Sequence, residues 1–204
     1  MHVVTFGEIM GRLYPNGYLR LKQSLPGQIN MDFSGAEANV AASIAMFGGS
    51  SAFVTALPNN VLGDACAGKM GSLGVNTDNI IRTDLGRLGL YFLETGANQR
   101  PSQVVYDRAG ASVAVIDANE YNWEKIFDGA TWFHTTGITP SLSAEAAHAA
   151  LDAVKSAKQA GLTVSCDLNF RKKLWKWDSS MAPRELAEKT MRGILPYVDV
   201  LVAN

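Results

Sequence analysis

Short apolar runs alternate with amphipathic stretches along this chain, and the alternation predicts strands and helices in turn. Val3 to Gly7 is a β-rich apolar run ending in glycine and predicts a buried first strand. Residues 14–28 carry Tyr14, Pro15, Asn16 and Gly17, then Pro26, Gly27 and Gln28. They are too polar and broken for a core and predict short strands or loops projecting from it. Ser34-Gly35-Ala36-Glu37 has the form of a capping box, in which Ser34 and Glu37 exchange hydrogen bonds with the backbone. The helix it opens sets Val40, Ile44 and Phe47 on one face and closes at Gly48-Gly49. Next come a strand over Ser51–Ala56, a helix over Gly63–Leu73 stopped by Gly74, and a short strand over Asn79–Arg82. Leu88–Thr95 and Gln103–Arg108 predict a hairpin with a loop longer than two residues. The pattern then predicts a strand over Thr131–Thr136 and a helix capped by Ser143 that runs through Ala160 to Gly161. A strand over Leu162–Asp167, a helix from Pro183 to Leu195 and a strand over Val198–Val202 complete it.

Strands alternating with helices predict an α/β fold, with a central, mostly parallel sheet flanked by helices. Two β-rich polar segments, about 12–33 and 86–116, interrupt the rhythm and are expected to pair into a small accessory sheet. There is no internal repeat or low-complexity tract. Leu201-Val202-Ala203-Asn204 comes off the last strand with nothing behind it. Ligands of open α/β sheets bind beyond the carboxyl ends of strands, so the expectation is a larger protein cut at this point.

Composition narrows the choice of function. Of 204 residues, 47% are apolar, enough for a sizeable core, and 18 basic against 19 acidic residues give a net charge of −1. That balance excludes a disordered tail and a strongly basic nucleic-acid binder, and gives no electrostatic reason to expect a membrane surface. Cys66 and Cys166 lie too far apart for a zinc site and suggest no disulfide framework. They read as two buried small side chains in a reducing compartment. The N-terminal residues have no basic region, and no apolar run reaches about 18 residues, so neither a signal peptide nor a membrane span is expected and the setting is cytoplasmic.

Three places carry candidate chemistry. At Ser34–Asn39 a glycine sits at a loop-to-helix junction, where Gly35 would let a ligand approach the backbone. An ordinary capped helix fits these six residues too. The stretch lacks the Gly-Lys-Ser/Thr of a P-loop and is not Gly-x-Gly-x-x-Gly. Asp167-Leu168-Asn169-Phe170-Arg171 ends an apolar strand with three polar groups at alternate positions, facing either a cleft or solvent. Arg171 is able to fork onto a carboxylate or phosphate, whereas Lys172 and Lys173 read as surface charges. Tyr106 and Arg108 share one face of a predicted strand, with Tyr91 on its partner. Together they suit an acidic, hydroxylated substrate or a protein interface. His2, His134 and His148 have no metal-ligand spacing, and His134 is expected under the sheet. Asp64 reads as a helix start, and the four tryptophans are too scattered for a base-stacking platform.

Several collinear segments together resemble the ribokinase-like (PfkB) carbohydrate kinases, and within them the 2-keto-3-deoxygluconate kinases. They are Val4-Thr5-Phe6-Gly7-Glu8-Ile9-Met10, Ser34 to Ala41, Leu62-Gly63-Asp64, Gly89 to Phe92, Val105 to Gly110, Gly137 to Ser143, and Asp167 to Arg171. The resemblance implies a Rossmann-like ribokinase fold with a small β-sheet lid, here one domain over 1–204 that lacks its C-terminal part. It implies ATP-dependent phosphorylation, with Mg²⁺, of a hydroxyl of 2-keto-3-deoxygluconate or a similar sugar acid, and association of copies through the lid. By motif, Gly35, Asn39, Tyr91, Tyr106, Arg108, Ile138 and Arg171 would hold the substrate, and Asn169 would lie towards the phosphates. Asn204 matches the first residue of the family's Asn-x-x-Glu magnesium-linked motif. The family usually has glycine where this chain has Ser34 and a small residue at Glu37; the keto-deoxygluconate kinases often carry the glutamate. The family's Gly-x-Gly-Asp, whose aspartate is the general base and whose glycines form the anion hole, occurs nowhere in the chain. No catalytic base is therefore assigned, and the 204 residues alone are expected to show no ATP-dependent phosphorylation. Two alternatives stand beside this reading: a kinase for a neutral sugar or nucleoside, in which paired guanidiniums have no carboxylate to meet, and a non-catalytic sugar-binding module.

Overall fold

A computed structural model describes residues 2–203. The first strand, β1 (His2–Phe6), has Val3, Val4 and Phe6 almost fully buried, as a strand covered on both faces requires. It lies in the middle of a six-stranded parallel sheet. On one side are β4 (Ser50–Pro58) and then β5 (Ile80–Thr83); on the other are β8 (Trp132–Thr136), β9 (Thr163–Asp167) and β10 (Val200–Val202). The chain fills the β4 side first and only later returns to place β8 against β1, so the strand order reverses between β1 and β8.

Alternation along β4 divides the core. Ala52, Val54 and Ala56 join Val4 and Phe6 on one face, while Phe53 and Leu57 point to the other. Helices α2 (Ala36–Met46) and α3 (Val61–Ser72) cover the Phe53 face through Ala38, Ala41, Cys66 and Met70. The opposite face is covered by α6 (Ala144–Gln159), α7 (Pro183–Ile194) and the short turns α4 (Ser112–Val115) and α5 (Trp123–Ile126). In α6, Ala146, Ala149, Ala150, Ala153 and Ala157 form the buried stripe. Ser143 caps that helix by accepting from the Ala146 N–H at 3.0 Å.

A second sheet has the order β3 (Asn30–Ser34), β2 (Met10–Tyr14), β6 (Leu90–Glu94), β7 (Gln103–Asp107). Its two antiparallel hairpins are joined by a parallel β2–β6 pairing, and one helical turn, α1 (Leu21–Ser24), lies between β2 and β3. The expected α/β body with a second small sheet is thus present, but residues 111–116 do not extend that sheet. They form α4 and its flanks and bury Ala111, Val113 and Ile116 in the main core. The chain passes between the two sheets at residues 7–9, 34–36, 84–89 and 108–111, and all four crossings lie at the carboxyl end of the central strands.

Three local expectations are corrected. No capping box forms at α2: its N-cap is Gly35, with no side-chain hydrogen bond. Ser34 is held in the β3 ladder opposite Met10, and Glu37 turns inward to stronger partners. The buried face of α2 is Glu37, Ala38 and Ala41, whereas Val40 and Ile44 are only half-buried and Phe47 is 92% exposed. Small side chains let the helix lie close on the sheet. Finally, Val198 precedes β10, because its N–H closes a 3₁₀ turn onto Leu195 O at 3.0 Å.

Candidate functional site

The crossing at residues 34–36 requires Gly35. A Cβ there would lie 2.1 Å from the carbonyl oxygen of Glu8, so only glycine lets the two crossing segments touch. The contact sets the N-terminus of α2 beside the end of β1. A cavity of about 210 Å³ opens at this point, between Glu8 after β1 and Ile138 after β8. It therefore sits at the carboxyl ends of parallel strands where the strand order reverses, the usual crevice for ligands in open α/β sheets.

Each wall comes from a different part of the chain. Gly35, Ala36, Glu37 and Asn39 form the α2 side, and the Asn39 amide donates to Ser34 Oγ at 3.3 Å. The second sheet contributes Tyr91 and Tyr106, directly opposed across the antiparallel β6–β7 pair with ring centroids 6.0 Å apart. Arg108, two residues beyond Tyr106, continues that face, and its guanidinium carbon lies 5.5 Å from the Tyr106 ring centre. From the central sheet come Ile138, Asn169 and Arg171. Asn169 has a φ of +38°, a left-handed conformation that asparagine tolerates. Its N–H donates to Asp167 Oδ1 at 3.0 Å. This Asx turn bends the chain after β9 and brings Asn169 and Arg171 to the cavity.

Eight residues singled out in the sequence, Gly35, Asn39, Tyr91, Tyr106, Arg108, Ile138, Asn169 and Arg171, thus line one cavity. Asn204 lies outside the described residues. Asp167 does not line the cavity as the alternating pattern had suggested; its carboxylate is spent on the backbone turn. His134 sits half-buried in β8 against Ser165 Oγ at 2.9 Å, and burial lowers its pKa. Asp64 pairs with Arg82 in the first turn of α3. Cys66 and Cys166 are buried free thiols, both pushed up to about 12 by desolvation.

Two acidic residues at the site were not among the predicted site residues. Glu37 is almost fully buried, and its Oε1 accepts from Thr136 Oγ1 at 2.7 Å and Thr139 Oγ1 at 2.8 Å. Burial raises its pKa, and only neutral hydroxyl and backbone donors oppose that rise. Glu8 is 3% exposed and forms an ion pair with Arg108. Burial pushes its carboxyl up to about 7, against the pull of the Arg108 charge. A glutamate directly after an apolar strand was the available signal for Glu8. Nothing local marks Glu37, whose pattern reads as a cap.

Two guanidiniums reach the cavity: Arg108 is paired with Glu8, and among the described residues no carboxylate lies within ion-pair distance of Arg171. A larger cavity of about 620 Å³ lies between the Leu168–Trp175 segment and α7. Leu168, Phe170, Trp175 and Met191 give it an apolar lining, and it contains none of the predicted substrate- or cofactor-binding residues. The convergent polar groups that orient a small ligand are at the 210 Å³ site.

A doubly covered parallel sheet with a polar crevice at its switch point defines a small-ligand α/β protein. The comparison with known proteins narrows this: residues 1–204 match the pfkB family of carbohydrate kinases, and the chain belongs to that family. It is 36% identical over 202 residues to the 2-dehydro-3-deoxygalactonokinase of Haloferax volcanii, covering 98% of this chain and 60% of that protein. The crystal structure of 2-dehydro-3-deoxygluconokinase from Thermotoga maritima superposes with a TM-score of 0.92 at 50% identity, over all of this chain and 60% of that one. Fructokinase with bound ATP from Xylella fastidiosa gives a TM-score of 0.80 at 27% identity, over 98% of this chain and 56% of that one. The chain therefore spans about 60% or less of the length of these relatives.

Proposed function

We propose that the whole protein transfers the terminal phosphoryl group of ATP to a hydroxyl of a small sugar acid, 2-keto-3-deoxygluconate or a close analogue, and that the 210 Å³ cavity is the sugar-acid half of its site. The observation that carries this reading is the convergence of Arg108 and Arg171, which follow strands of two different sheets, on one cavity beside Gly35. A neutral sugar leaves the Arg171 guanidinium with no carboxylate to meet, whereas a sugar acid can accept from Arg171 and from the remaining donors of Arg108. The named activities of the Haloferax and Thermotoga relatives support the same substrate class.

Phosphoryl transfer asks the protein mainly for positioning and charge compensation. In this reading Arg108 and Arg171 bind the carboxylate and fix the sugar's direction. The Tyr91 and Tyr106 hydroxyls and the Asn39 amide hold its hydroxyl groups, and Ile138 packs against its carbon chain. The second sheet serves as the lid that excludes water. Asn169 faces the phosphate side. Among the described residues there is no group of three or more His, Cys, Asp or Glu side chains able to hold a metal ion, and Asn169 is the one motif residue present towards the nucleotide. No step through Mg²⁺ is assigned to these residues. The exposed side chains of Met31 and Val105 on the second sheet support association of copies there. Two buried free cysteines agree with a cytoplasmic setting, and no helix among the described residues is long and apolar enough to cross a membrane.

Calorimetric titration of the chain with 2-keto-3-deoxygluconate and with fructose tests the reading. The acid is expected to bind more tightly, and Arg108→Ala and Arg171→Ala are each expected to weaken it by about tenfold or more while changing fructose affinity little. Acid affinity that survives Arg108→Ala unchanged, or tighter binding of fructose, would favour the neutral-sugar reading that the fructokinase similarity supports.

A further inference from the structure

Glu8 stands at the first crossing between the sheets, where β1 ends and the chain turns towards β2. A carboxylate buried there costs free energy unless it is paired. Its partner is Arg108, whose side chain is 13% exposed and which follows β7 at the fourth crossing. The pair links two of the four crossings, the one after β1 and the one after β7. Of the other ion pairs among the described residues, Arg87–Asp107 ties the crossing after β5 to the end of β7, Arg12–Asp32 lies within the second sheet, and three lie within the body.

Space is reserved for the pair. A Cβ on Gly89 would lie 2.7 Å from Glu8 Oε1. That oxygen has no partner of its own, and neither has the Nε of Arg108, so the guanidinium keeps donor capacity beyond its bond to Glu8. The pair also forms the partition between two cavities. Glu8 and Arg108 line both the 210 Å³ site and a neighbouring one of about 250 Å³ that reaches Ala114, Lys176 and Trp177. The guanidinium therefore has room on either side, and only its position beside the Tyr106 ring and its bond to Glu8 hold it at the partition.

We propose that Glu8 is a positioning residue: it holds the Arg108 guanidinium at this partition, directed towards Arg171, and so gives the cavity its preference for a sugar acid over a neutral sugar. The inference rests on the sugar-acid reading above. Without the Glu8 carboxylate, Arg108 is free to turn into the neighbouring cavity, and a ligand carboxylate then meets Arg171 alone. The groups that bias Glu8 are Arg108 from the end of β7 and Glu37 from α2, with Arg171 across the site and Lys173 and Lys176 on the far cavity.

The test is a double-mutant cycle with the 204-residue chain, in which Glu8→Gln, Arg108→Gln and the double variant are titrated calorimetrically with 2-keto-3-deoxygluconate and fructose. Glu8→Gln is expected to weaken acid binding by about tenfold or more, to leave fructose binding almost unchanged, and to add no loss in the Arg108→Gln background. Acid affinity within about twofold of wild type, or an equal loss in both backgrounds, overturns the proposal. Wild-type chain that binds the acid no better than fructose defeats the sugar-acid reading instead. Non-additivity of the two variants for the sugar that does bind then still supports the positioning role, and additivity overturns it. Should Glu8→Gln fail to fold, the wild type alone decides: acid affinity rising from about pH 6 to about pH 8 as Glu8 ionises supports the role, and a flat profile overturns it.

Discussion

Glu8 and Glu37 are both carboxyl groups buried at the ligand cavity, yet their surroundings differ in kind. Glu8 faces a guanidinium, while Glu37 faces two threonine hydroxyls. For both, desolvation is the largest influence and favours the protonated form. The consequence for stability has a definite sign. In the unfolded chain Glu8 loses its proton near the ordinary value of 4.5, whereas in the folded chain it keeps it to about 7. Between these values the folded state holds a proton that the unfolded state has released, so the Glu8 contribution is complete below about pH 4.5 and is lost as pH rises through 7. A shift of this size corresponds to roughly 3 kcal/mol. The urea midpoint of the wild type is thus expected to fall between about pH 5 and pH 7.5 by more than that of Glu8→Gln, with Glu37 adding a fall common to both. Parallel pH profiles for the two proteins would sink this assignment. Neither role was visible in the sequence, because what a carboxyl meets depends on segments about a hundred residues away, Arg108 for Glu8 and Thr136 and Thr139 for Glu37.

Among the elements, the segment between β9 and α7 shows how a polar residue is aimed without regular secondary structure. Arg171 lies on it, and two tryptophans pin it to the 3₁₀ turn after β8. Trp175 is 1% exposed, has a φ of +63° and donates its N–H to Ser141 O at 3.3 Å; Trp177 Nε1 donates to Pro140 O at 3.1 Å. A bulky residue in the left-handed region is held there by its surroundings at a cost, and burial of the indole offsets it. Trp175→Ala is expected to destabilise the chain by about 3–5 kcal/mol in urea unfolding and to weaken sugar-acid binding through Arg171. A loss below about 1 kcal/mol would show that the indole is not the anchor. Helix α6 was legible in the sequence because its alanines recur at helical spacing and Ser143 is a true cap. The buried face of α2 was not. Its large apolar residues lie to one side, while Ala38 and Ala41 set the contact with the sheet, and binary patterning weights size over closeness of approach.

For the molecule as a whole, four chain crossings at one end of the central sheet join a buried body to a more exposed second sheet. Strands β1 and β8 are each flanked on both sides, whereas β7 is an edge strand with four of its five residues exposed. Backbone amides of β1 and β8 are expected to exchange with deuterium most slowly and those of the exposed edge strands β7 and β10 fastest; equal protection would contradict the ranking. The amino-acid order by itself determined the succession of strands and helices, the two interruptions that build the second sheet, and the family motifs. These depend on local periodicity and on residue types at fixed spacing. Tertiary structure alone decided that eight separated residues share one cavity, that Asp167 serves a turn instead of the site, and that Glu8 and Glu37 face inward. Burial and charge pairing arise only when crossings distant in sequence meet in space, and no local pattern records which segments will meet.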